Sequence, residues 1–247
     1  MVLSAPHEPG RTEPLDGAKA VRNGEAVVYD WNFHTVWEYR VVYLNGAIIT
    51  VGLSLYSVVF SLALGLMVGI ARQSKNRLIA YPASWYIELL RDTPLLVQIV
   101  WIYYCFPILV GLKLTAFWSC VLAISIHMSA YVAEIFRAGI VSVDKGQVDA
   151  AKVVGMTYAQ IMRRIILPQA FRRMLPPLVN NFADILKLTA LASVIGVYEL
   201  LHSVDNVIMN NFRPLEMYTV LGIVYFVLIF PVAFGARRAE VYFARRV

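Results

Sequence analysis

Residues 41–71 read VVYLNGAIITVGLSLYSVVFSLALGLMVGIA and contain no charged side chain. A helix needs about 20 consecutive apolar residues to cross a membrane, so this run is long enough to span one with some tilt. The whole chain is similar, since 59% of its residues are apolar, only 15% are charged, and its mean hydropathy is +0.63. Soluble domains carry about 25% charged residues. Because the apolar residues form continuous runs and not ten-residue alternations, the sequence predicts an all-α polytopic membrane protein.

Four more segments qualify as membrane spans, which gives about five transmembrane helices. They lie near 94–111, 114–136, 175–197 and 215–236. The start of the helix at 94–111 is left undecided, because the preceding SWYIELL is also compatible with a helix. The segment 175–197 is the least hydrophobic of the set.

The distribution of Lys and Arg predicts the direction of the spans. Fourteen lie near 72–77, within 137–173 and after 236, against six on the opposite side of the membrane. Basic residues are retained on the cytoplasmic side, so the N-terminus is predicted outside and the C-terminus in the cytoplasm. Residues 1–35, with Pro, Gly and mixed charge, are predicted to form a flexible extracytoplasmic arm. Residues 36–247 are predicted to form a single transmembrane domain.

The net charge of +6 does not indicate a nucleic-acid partner. The Lys and Arg residues flank apolar runs and form no separate basic domain. Positively charged cytoplasmic loops account for them, and membrane lipid is the expected surrounding. The two cysteines and four histidines show no metal-ligand spacing, and no Gly-x-Ser-x-Gly motif occurs. The sequence therefore predicts no catalytic residue and no metal site in this chain.

The longest predicted cytoplasmic loop, about 138–172, contains DAAKVVGMTYAQIMRRIILP at 149–168. Asp149 is favoured in the first turn of a helix, and Gly155 can adopt the positive φ that ends one. Thr157 is a candidate N-cap for a second helix, and Pro168 predicts the next boundary. The loop is therefore expected to fold as helix, turn, helix. An amphipathic helix lying in the membrane interface is the alternative.

This loop resembles the EAA loop of the membrane subunits of ABC importers, with Asp149 where Glu is usual. Three other stretches are similar to patterns of the polar amino acid permeases, the branch that includes histidine, glutamine and glutamate importers. They are ELLRDTPLLVQ (88–98), AYVAEIFRAGIVSVDKGQ (130–147) and LPQAFRRMLPPLVNNF (167–182) with LASVIGV (191–197). The resemblance covers about 40–240. One departure is KLTAL at 187–191, where Lys-Asp-Thr-Ser-Leu is common.

The resemblance implies the fold of a type I ABC importer permease in the bacterial inner membrane. It implies a separate ABC ATPase, which docks on the 147–168 loop and binds ATP and Mg, so that no cofactor is expected in this chain. The absence of a Gly-x4-Gly-Lys-Ser/Thr motif agrees with a separate ATPase. A second permease, identical or paralogous, and an extracytoplasmic solute-binding protein are the other implied partners. The expected ATPase-coupling residues are Gln147, Asp149, Ala150, Ala151 and Gly155.

Polar residues inside the spans are candidates for an amino acid pathway, because ionisable groups there usually face a bundle interior or a cavity. His127 and Tyr131 share a helix face with Glu134, and Arg137 is placed to pair with Glu134. Hydrogen bonding between helices is an equally good interpretation of this stripe. The expected substrate-path residues are Gln98, Tyr103, His127, Tyr131, Asn180, Asp184 and Lys187. Mutual neutralisation of Asp184 and Lys187 is the alternative for that pair, and Arg91 and Asp92 are expected to be structural.

Two other classes of membrane protein remain for comparison. A passive channel or ion-coupled carrier is expected to have intramembrane charges or paired broken helices without a folded cytoplasmic loop. A membrane enzyme requires a catalytic cluster at one interface, and the sequence offers none. The predicted function is therefore that of a permease subunit that moves a polar amino acid and is not itself an enzyme.

Overall fold

The computed structural model describes residues 29–244, with side chains up to residue 238. Most of the predicted arm, 1–28, lies outside the described residues. The α-helices are α1 (His34–Glu38), α2 (Arg40–Arg72), α3 (Arg77–Asp92), α4 (Leu95–Val100), α5 (Phe106–Val110), α6 (Ala116–Val141), α7 (Lys145–Val153), α8 (Tyr158–Ile161), α9 (Leu167–Leu188), α10 (Leu200–Asn211) and α11 (Pro214–Ala244). Two π-helical turns, Trp101–Cys105 and Met162–Ile166, and a 3-10 segment, Thr189–Ile195, continue these helices.

The prediction of about five membrane-spanning helices is confirmed. Four helical stretches are long and apolar enough to cross a membrane: Arg40–Arg72, Ala116–Val141, Tyr158–Ile195 and Pro214–Arg238. A fifth crossing is possible through a bent pair, Arg77–Asp92 and Leu95–Val110, whose axes meet at 105°.

The chain bends between α3 and α4, so the segment SWYIELL and the apolar stretch after it do not form one straight helix. Thr93 has an extended backbone (ψ 138°) and Pro94 is the N-cap of α4. A residue that precedes proline is sterically disfavoured in the α region, so the chain turns there. The segment SWYIELL therefore belongs to α3, and the apolar stretch 95–110 forms the second half of the bent pair.

The helix boundary predicted at Pro168 is wrong. Helical structure runs without a break from Tyr158 through α9, so the fourth span begins well before residue 175. Proline removes one backbone donor and crowds the carbonyl four residues earlier. The wider π-helical turn at Met162–Ile166 accommodates this defect, and the Gln169 side chain donates to the Ile165 carbonyl at 3.1 Å.

Helices α2 and α6 form the centre of the bundle, and glycines let their backbones approach closely. A Cβ on Gly65 would lie 2.5 Å from Val132 Cγ1 and 2.8 Å from the Ser129 carbonyl oxygen. Gly69, one turn later, faces Ala133 in the same way. Small residues spaced by four are typical of helix contacts in membranes, where close van der Waals packing replaces the hydrophobic effect.

Helix α10 was not predicted, and it packs across the other end of α2. The Glu199 carboxylate caps its N-terminus by accepting from the amides of Leu201 and His202, both at 2.9 Å. The Leu200 amide donates to Thr50 Oγ1 on α2 at 3.1 Å. Tyr225 of α11 donates to the same Glu199 carboxylate at 3.0 Å. Three helices are thus joined at one buried point.

Candidate coupling loop and solute pathway

The loop between α6 and α9 folds as helix, turn, helix. Asp144 caps α7 by accepting from the Gln147 amide at 3.2 Å, and Gly155 ends the turn with φ of +79°. Thr157 begins α8 with a capping box: its hydroxyl oxygen accepts from the Gln160 amide at 3.4 Å, and the Gln160 side-chain oxygen accepts from the Thr157 amide at 2.8 Å. The predicted shape, the positive φ of Gly155 and the Thr157 cap are confirmed.

The predicted start of α7 is wrong by about one turn. Asp144 is the N-cap, so Asp149 lies in the middle of the helix and not in its first turn. Asp149 instead pairs with Lys152, whose Nζ lies 2.7 Å from Oδ1. A hydrogen bond and the positive charge of Lys152 hold the pKa of Asp149 below its usual value.

The loop is packed firmly against the membrane-spanning helices. Its buried side chains form a cluster with the start of α9: Val143, Ala151, Ile161, Ile166, Ala170 and Met174. Gln169 of α9 donates to the Gln147 side chain at 2.7 Å, and Arg173 donates to the carbonyl of Ser142. A displacement of α7 would therefore be transmitted directly to α9 and to the end of α6.

Four of the five predicted coupling residues are exposed on the loop: Gln147, Asp149, Ala150 and Gly155. Ala151 is 5% exposed and faces inward, so it supports α7 from behind. The sequence reasoning missed the outer apolar surface formed by Val153, Val154 and Tyr158, which are 87%, 76% and 75% exposed. The signal was present, because three large apolar side chains flank a glycine turn in a polar loop.

A cavity of about 300 Å³, with several charged and amide side chains in its lining, lies between α3, α6 and α9. Among the predicted path residues, Tyr131, Asn180 and Asp184 line it. Arg91, which was expected to be structural, lines it too, as does Glu134, whose stripe was left open between a solute path and hydrogen bonding between helices. The Arg91 guanidinium carbon lies 5.4 Å from the centre of the Tyr131 ring. The cavity thus presents both a cation and carboxylates to one volume.

Asn180, Asp184 and Lys187 share one face of α9, as their spacing predicted. Lys187 Nζ lies 3.0 Å from Asp184 Oδ1, and Asn180 Nδ2 lies 3.5 Å from Oδ2. Lys187 is not among the residues that line the cavity, but it holds the Asp184 carboxylate at its edge. The structure therefore contains the mutual pairing of Asp184 and Lys187, which was the alternative interpretation.

Gln98, Tyr103 and His127 do not line this cavity. Gln98 donates to Thr93 Oγ1 at 2.5 Å and to the Leu90 carbonyl at 3.1 Å, so it closes the α3–α4 bend. Its Oε1 lies 3.2 Å from Nδ1 of the buried His127. Tyr103 packs against the central apolar core and against the Tyr104 ring at 4.8 Å.

Glu134 forms the predicted pair with Arg137 and a second one with Arg72 of α2. Arg137 Nε lies 2.8 Å from Oε1, and Arg72 Nη1 lies 2.5 Å from Oε2. One carboxylate therefore connects α2, α6 and the cavity at the end of the bundle from which the loop projects.

Residues 61–246 match the protein family described as binding-protein-dependent transport system inner membrane component. The chain belongs to this family. Members of this family are permease components and not enzymes, and their place is the inner membrane.

Three similar proteins are transport permeases for amino acids. The L-cystine transport system permease protein TcyB of Bacillus subtilis (strain 168) is 37% identical over 217 residues, covering 87% of this chain and 91% of that protein. The arginine transport system permease protein ArtQ of the same strain is 33% identical, with 80% and 90% covered. The glutamine transport system permease protein GlnP of Escherichia coli (strain K12) is 34% identical, with 86% and 96% covered.

A chain of the crystal structure of an amino acid ABC transporter with histidines superposes with a TM-score of 0.81. It is 36% identical, and the match covers 87% of this chain and 99% of that one. A chain of the inward-facing methionine ABC transporter MetNI shares the fold, with a TM-score of 0.69 at 16% identity, covering 83% and 98%. The type I importer permease fold is thereby confirmed.

Proposed function

We propose that this permease carries a polar amino acid through the membrane in an ATP-driven importer and is coupled to a separate ATPase through residues 147–168. The similarity to arginine, cystine and glutamine permeases supports an amino acid as the solute. The N-terminus lies outside and the C-terminus in the cytoplasm in this proposal, in line with the distribution of Lys and Arg.

The coupling role rests on one observation, which is the folded loop with an apolar outer surface. Val153, Val154 and Tyr158 are exposed beside the Gly155 turn, whereas the opposite face of α7 is packed against α9. An exposed apolar surface on a rigid helix is suited to a groove on another protein. Closure of the ATPases on ATP would push on residues 147–155, and α9 would move with them.

The cavity between α3, α6 and α9 offers groups that match an amino acid. Arg91 is placed to hold a carboxylate, and Glu134 or Asp184 to hold an ammonium group. Because α6 and α9 form two of its walls, movement of α9 would change access to the cavity. This is the coupling that alternating access requires, and no bond of the solute is made or broken.

The remaining parts of the importer follow from the family. A second permease, identical or paralogous, completes the pathway, and an extracytoplasmic solute-binding protein delivers the amino acid. ATP and Mg²⁺ are bound by the ATPase subunit, and no cofactor and no nucleic acid are required in this chain. The division into an arm, 1–35, and a single transmembrane domain, 36–247, is part of this proposal.

The experiment is uptake of radiolabelled amino acids by cells that express the complete importer, with copurification of the ATPase as a second readout. Val154→Asp should abolish both, since it places a charge on the apolar surface and keeps Gly155, the residue of the turn with positive φ. Leu78→Asp is the matched control, because Leu78 is 83% exposed but lies on α3 outside the loop. Normal uptake and copurification with Val154→Asp would refute the coupling role. Uptake that persists without the ATPase would favour a channel or carrier instead.

A further inference from the structure

An apolar groove lies at the N-terminal end of α2, away from the solute cavity and the coupling loop. Its volume is about 560 Å³, and its walls are α2 and α11 with part of α1. Its lining includes Trp37, Arg40, Leu44, Ala47, Val220 and Val224. All of these residues are apolar except Arg40, so the groove is an apolar slot with one cationic side chain.

The groove runs from the membrane surface inward. Helix α2 has 33 residues and is about 50 Å long at 1.5 Å per residue, whereas the hydrocarbon core is about 30 Å thick. Helix α2 therefore extends beyond the hydrocarbon core, and its first turns, which begin at Arg40 beside Trp37, fit the level of the lipid headgroups. Arg40 is the first residue of α2, and Ala47 lies about 10 Å further along the axis toward the hydrocarbon core.

Aromatic side chains support this placement of the groove mouth. Trp37 is 66% exposed and Phe33 is 48% exposed, and the Trp31 ring stacks on Phe33 with centroids 5.5 Å apart. Trp is enriched where membrane meets water, because its ring is apolar and its N–H is polar. The mouth of the groove is thus at the interface, and its floor is in the acyl region.

Arg40 is held over the mouth with its charge available. Its Nη1 donates to the Trp37 carbonyl at 3.0 Å, and its guanidinium carbon lies 5.2 Å from the Trp37 ring centre. Within residues 29–238, no carboxylate lies within 4 Å of Arg40. The adjacent acid, Glu38, is 3.4 Å from His34 instead. An unpaired guanidinium beside an apolar slot is complementary to a phosphate that carries an acyl chain.

We propose that this groove is a binding site for an anionic phospholipid. Its phosphate contacts Arg40, and one acyl chain lies along Leu44 and Ala47 of α2 and Val220 and Val224 of α11. The lipid fills the space between α2 and α11 in the leaflet at the N-terminal end of α2.

The test is photolabelling of the full-length permease in phosphatidylcholine vesicles. The vesicles contain phosphatidylglycerol with a diazirine in one acyl chain, or phosphatidylcholine with the same diazirine chain. Labelled peptides are identified by mass spectrometry. Peptides of α2 and α11 should be labelled about fivefold more by phosphatidylglycerol, the ratio that one basic residue near an anionic lipid contributes.

Arg40→Gln should reduce phosphatidylglycerol labelling to the phosphatidylcholine level, and Lys113→Gln, in the loop between α5 and α6, should not. Ala47→Phe should remove labelling by both lipids, whereas Val41→Phe, on a residue of α2 outside the groove, should not. Equal labelling of the wild type by the two lipids would overturn the proposal, as would an unchanged preference in Arg40→Gln. Absence of label in the groove, the result if a second copy or residues 1–28 fill it, would also overturn it.

Discussion

Arg72 Nη1 lies 2.5 Å from Glu134 Oε2, which joins the end of α2 to the end of α6 beside the coupling loop. The same carboxylate also accepts from Arg137, so one acid neutralises two guanidinium groups. All three side chains are only partly exposed to the surroundings. The arrangement is consequently sensitive to loss of the acid.

Glu134→Gln should destabilise the permease by about 1–3 kcal/mol, because it leaves two adjacent guanidinium groups without a counter-charge. The midpoint of thermal unfolding in detergent measures this. Glu88→Gln, which removes an exposed acid from α3, is the control and should leave the midpoint unchanged. Equal midpoints for both variants would show that the Glu134 network does not stabilise the α2–α6 contact.

The close approach of α2 and α6 gives a second prediction, on two glycines of one helix. Gly65→Ala places a Cβ 2.5 Å from Val132, and overpacking of this kind costs about 1–3 kcal/mol. Gly52→Ala meets nothing within 4 Å and should be neutral or stabilising by up to about 1 kcal/mol. The midpoints of thermal unfolding of both variants test this prediction. A Gly65→Ala variant as stable as Gly52→Ala would contradict the close packing.

These contacts also show which part of the fold the sequence could predict. The membrane-spanning segments could be predicted because runs of apolar residues report the thickness of the membrane directly. Helix α10, with the sequence LLHSVDNVIMNN, was missed because it mixes polar and apolar residues and is too short to span. The π-helical turn before Pro168 was missed because a proline usually indicates a helix end, and only the surrounding packing decides between an end and a wider turn.

The candidate sites were predictable to different degrees. The Gly155 turn and the Thr157 cap are local features, and local sequence was enough to place them. Tyr131, Asn180 and Asp184 meet in one cavity only because α6 and α9 pack together, and the sequence could supply the helix faces but not this contact. Gln98 was assigned to the pathway because it is polar within a span, whereas its partners are the carbonyl and hydroxyl groups exposed by the α3–α4 bend.

Gln98→Leu should therefore act on stability more than on selectivity. It removes the hydrogen bonds to Leu90 and Thr93 and the contact of Gln98 Oε1 with the buried His127 ring, at a cost of about 2–3 kcal/mol. Thermal unfolding and the substrate profile of uptake should be measured together. Gln73→Leu, at the exposed end of α2, is the control. A changed substrate profile at unchanged stability would return Gln98 to the solute pathway.

Glu199 gives a prediction on pH. Burial raises the pKa of its carboxyl group above the usual value, although two backbone amides and Tyr225 oppose this shift. The charged form is therefore disfavoured in the folded protein. This cost is absent below the pKa of the unfolded chain, about 4.3, and develops as pH rises through the folded pKa.

Glu199→Gln keeps an oxygen that can cap α10 but cannot ionise, so its stability relative to wild type should improve as pH rises. Glu199→Ala also loses the cap, so it should be about 1–2 kcal/mol less stable than Glu199→Gln at every pH. Thermal unfolding between pH 5 and pH 8 measures both. A difference between wild type and Glu199→Gln that does not depend on pH would contradict the raised pKa.

For Asp184 and Lys187, the sizes of the effects on stability and on uptake distinguish a pathway role from a packing role. Both side chains are about half exposed, and an ion pair of this kind contributes at most about 1 kcal/mol to stability. Asp184→Asn and Lys187→Gln should therefore fold normally. If Asp184 contacts the amino acid, Asp184→Asn should lower uptake at least about tenfold, the effect of losing roughly 1.4 kcal/mol of interaction with a charged group. Lys187→Gln should have a smaller effect, because Lys187 does not line the cavity.

Uptake and ligand-stimulated ATPase activity of the reconstituted importer are the measurements, with Arg172→Gln on an exposed position of α9 as the control. Transport by Asp184→Asn equal to that of the control would reduce the pair to a surface ion pair and would leave Arg91, Tyr131 and Glu134 as the remaining candidates in the cavity.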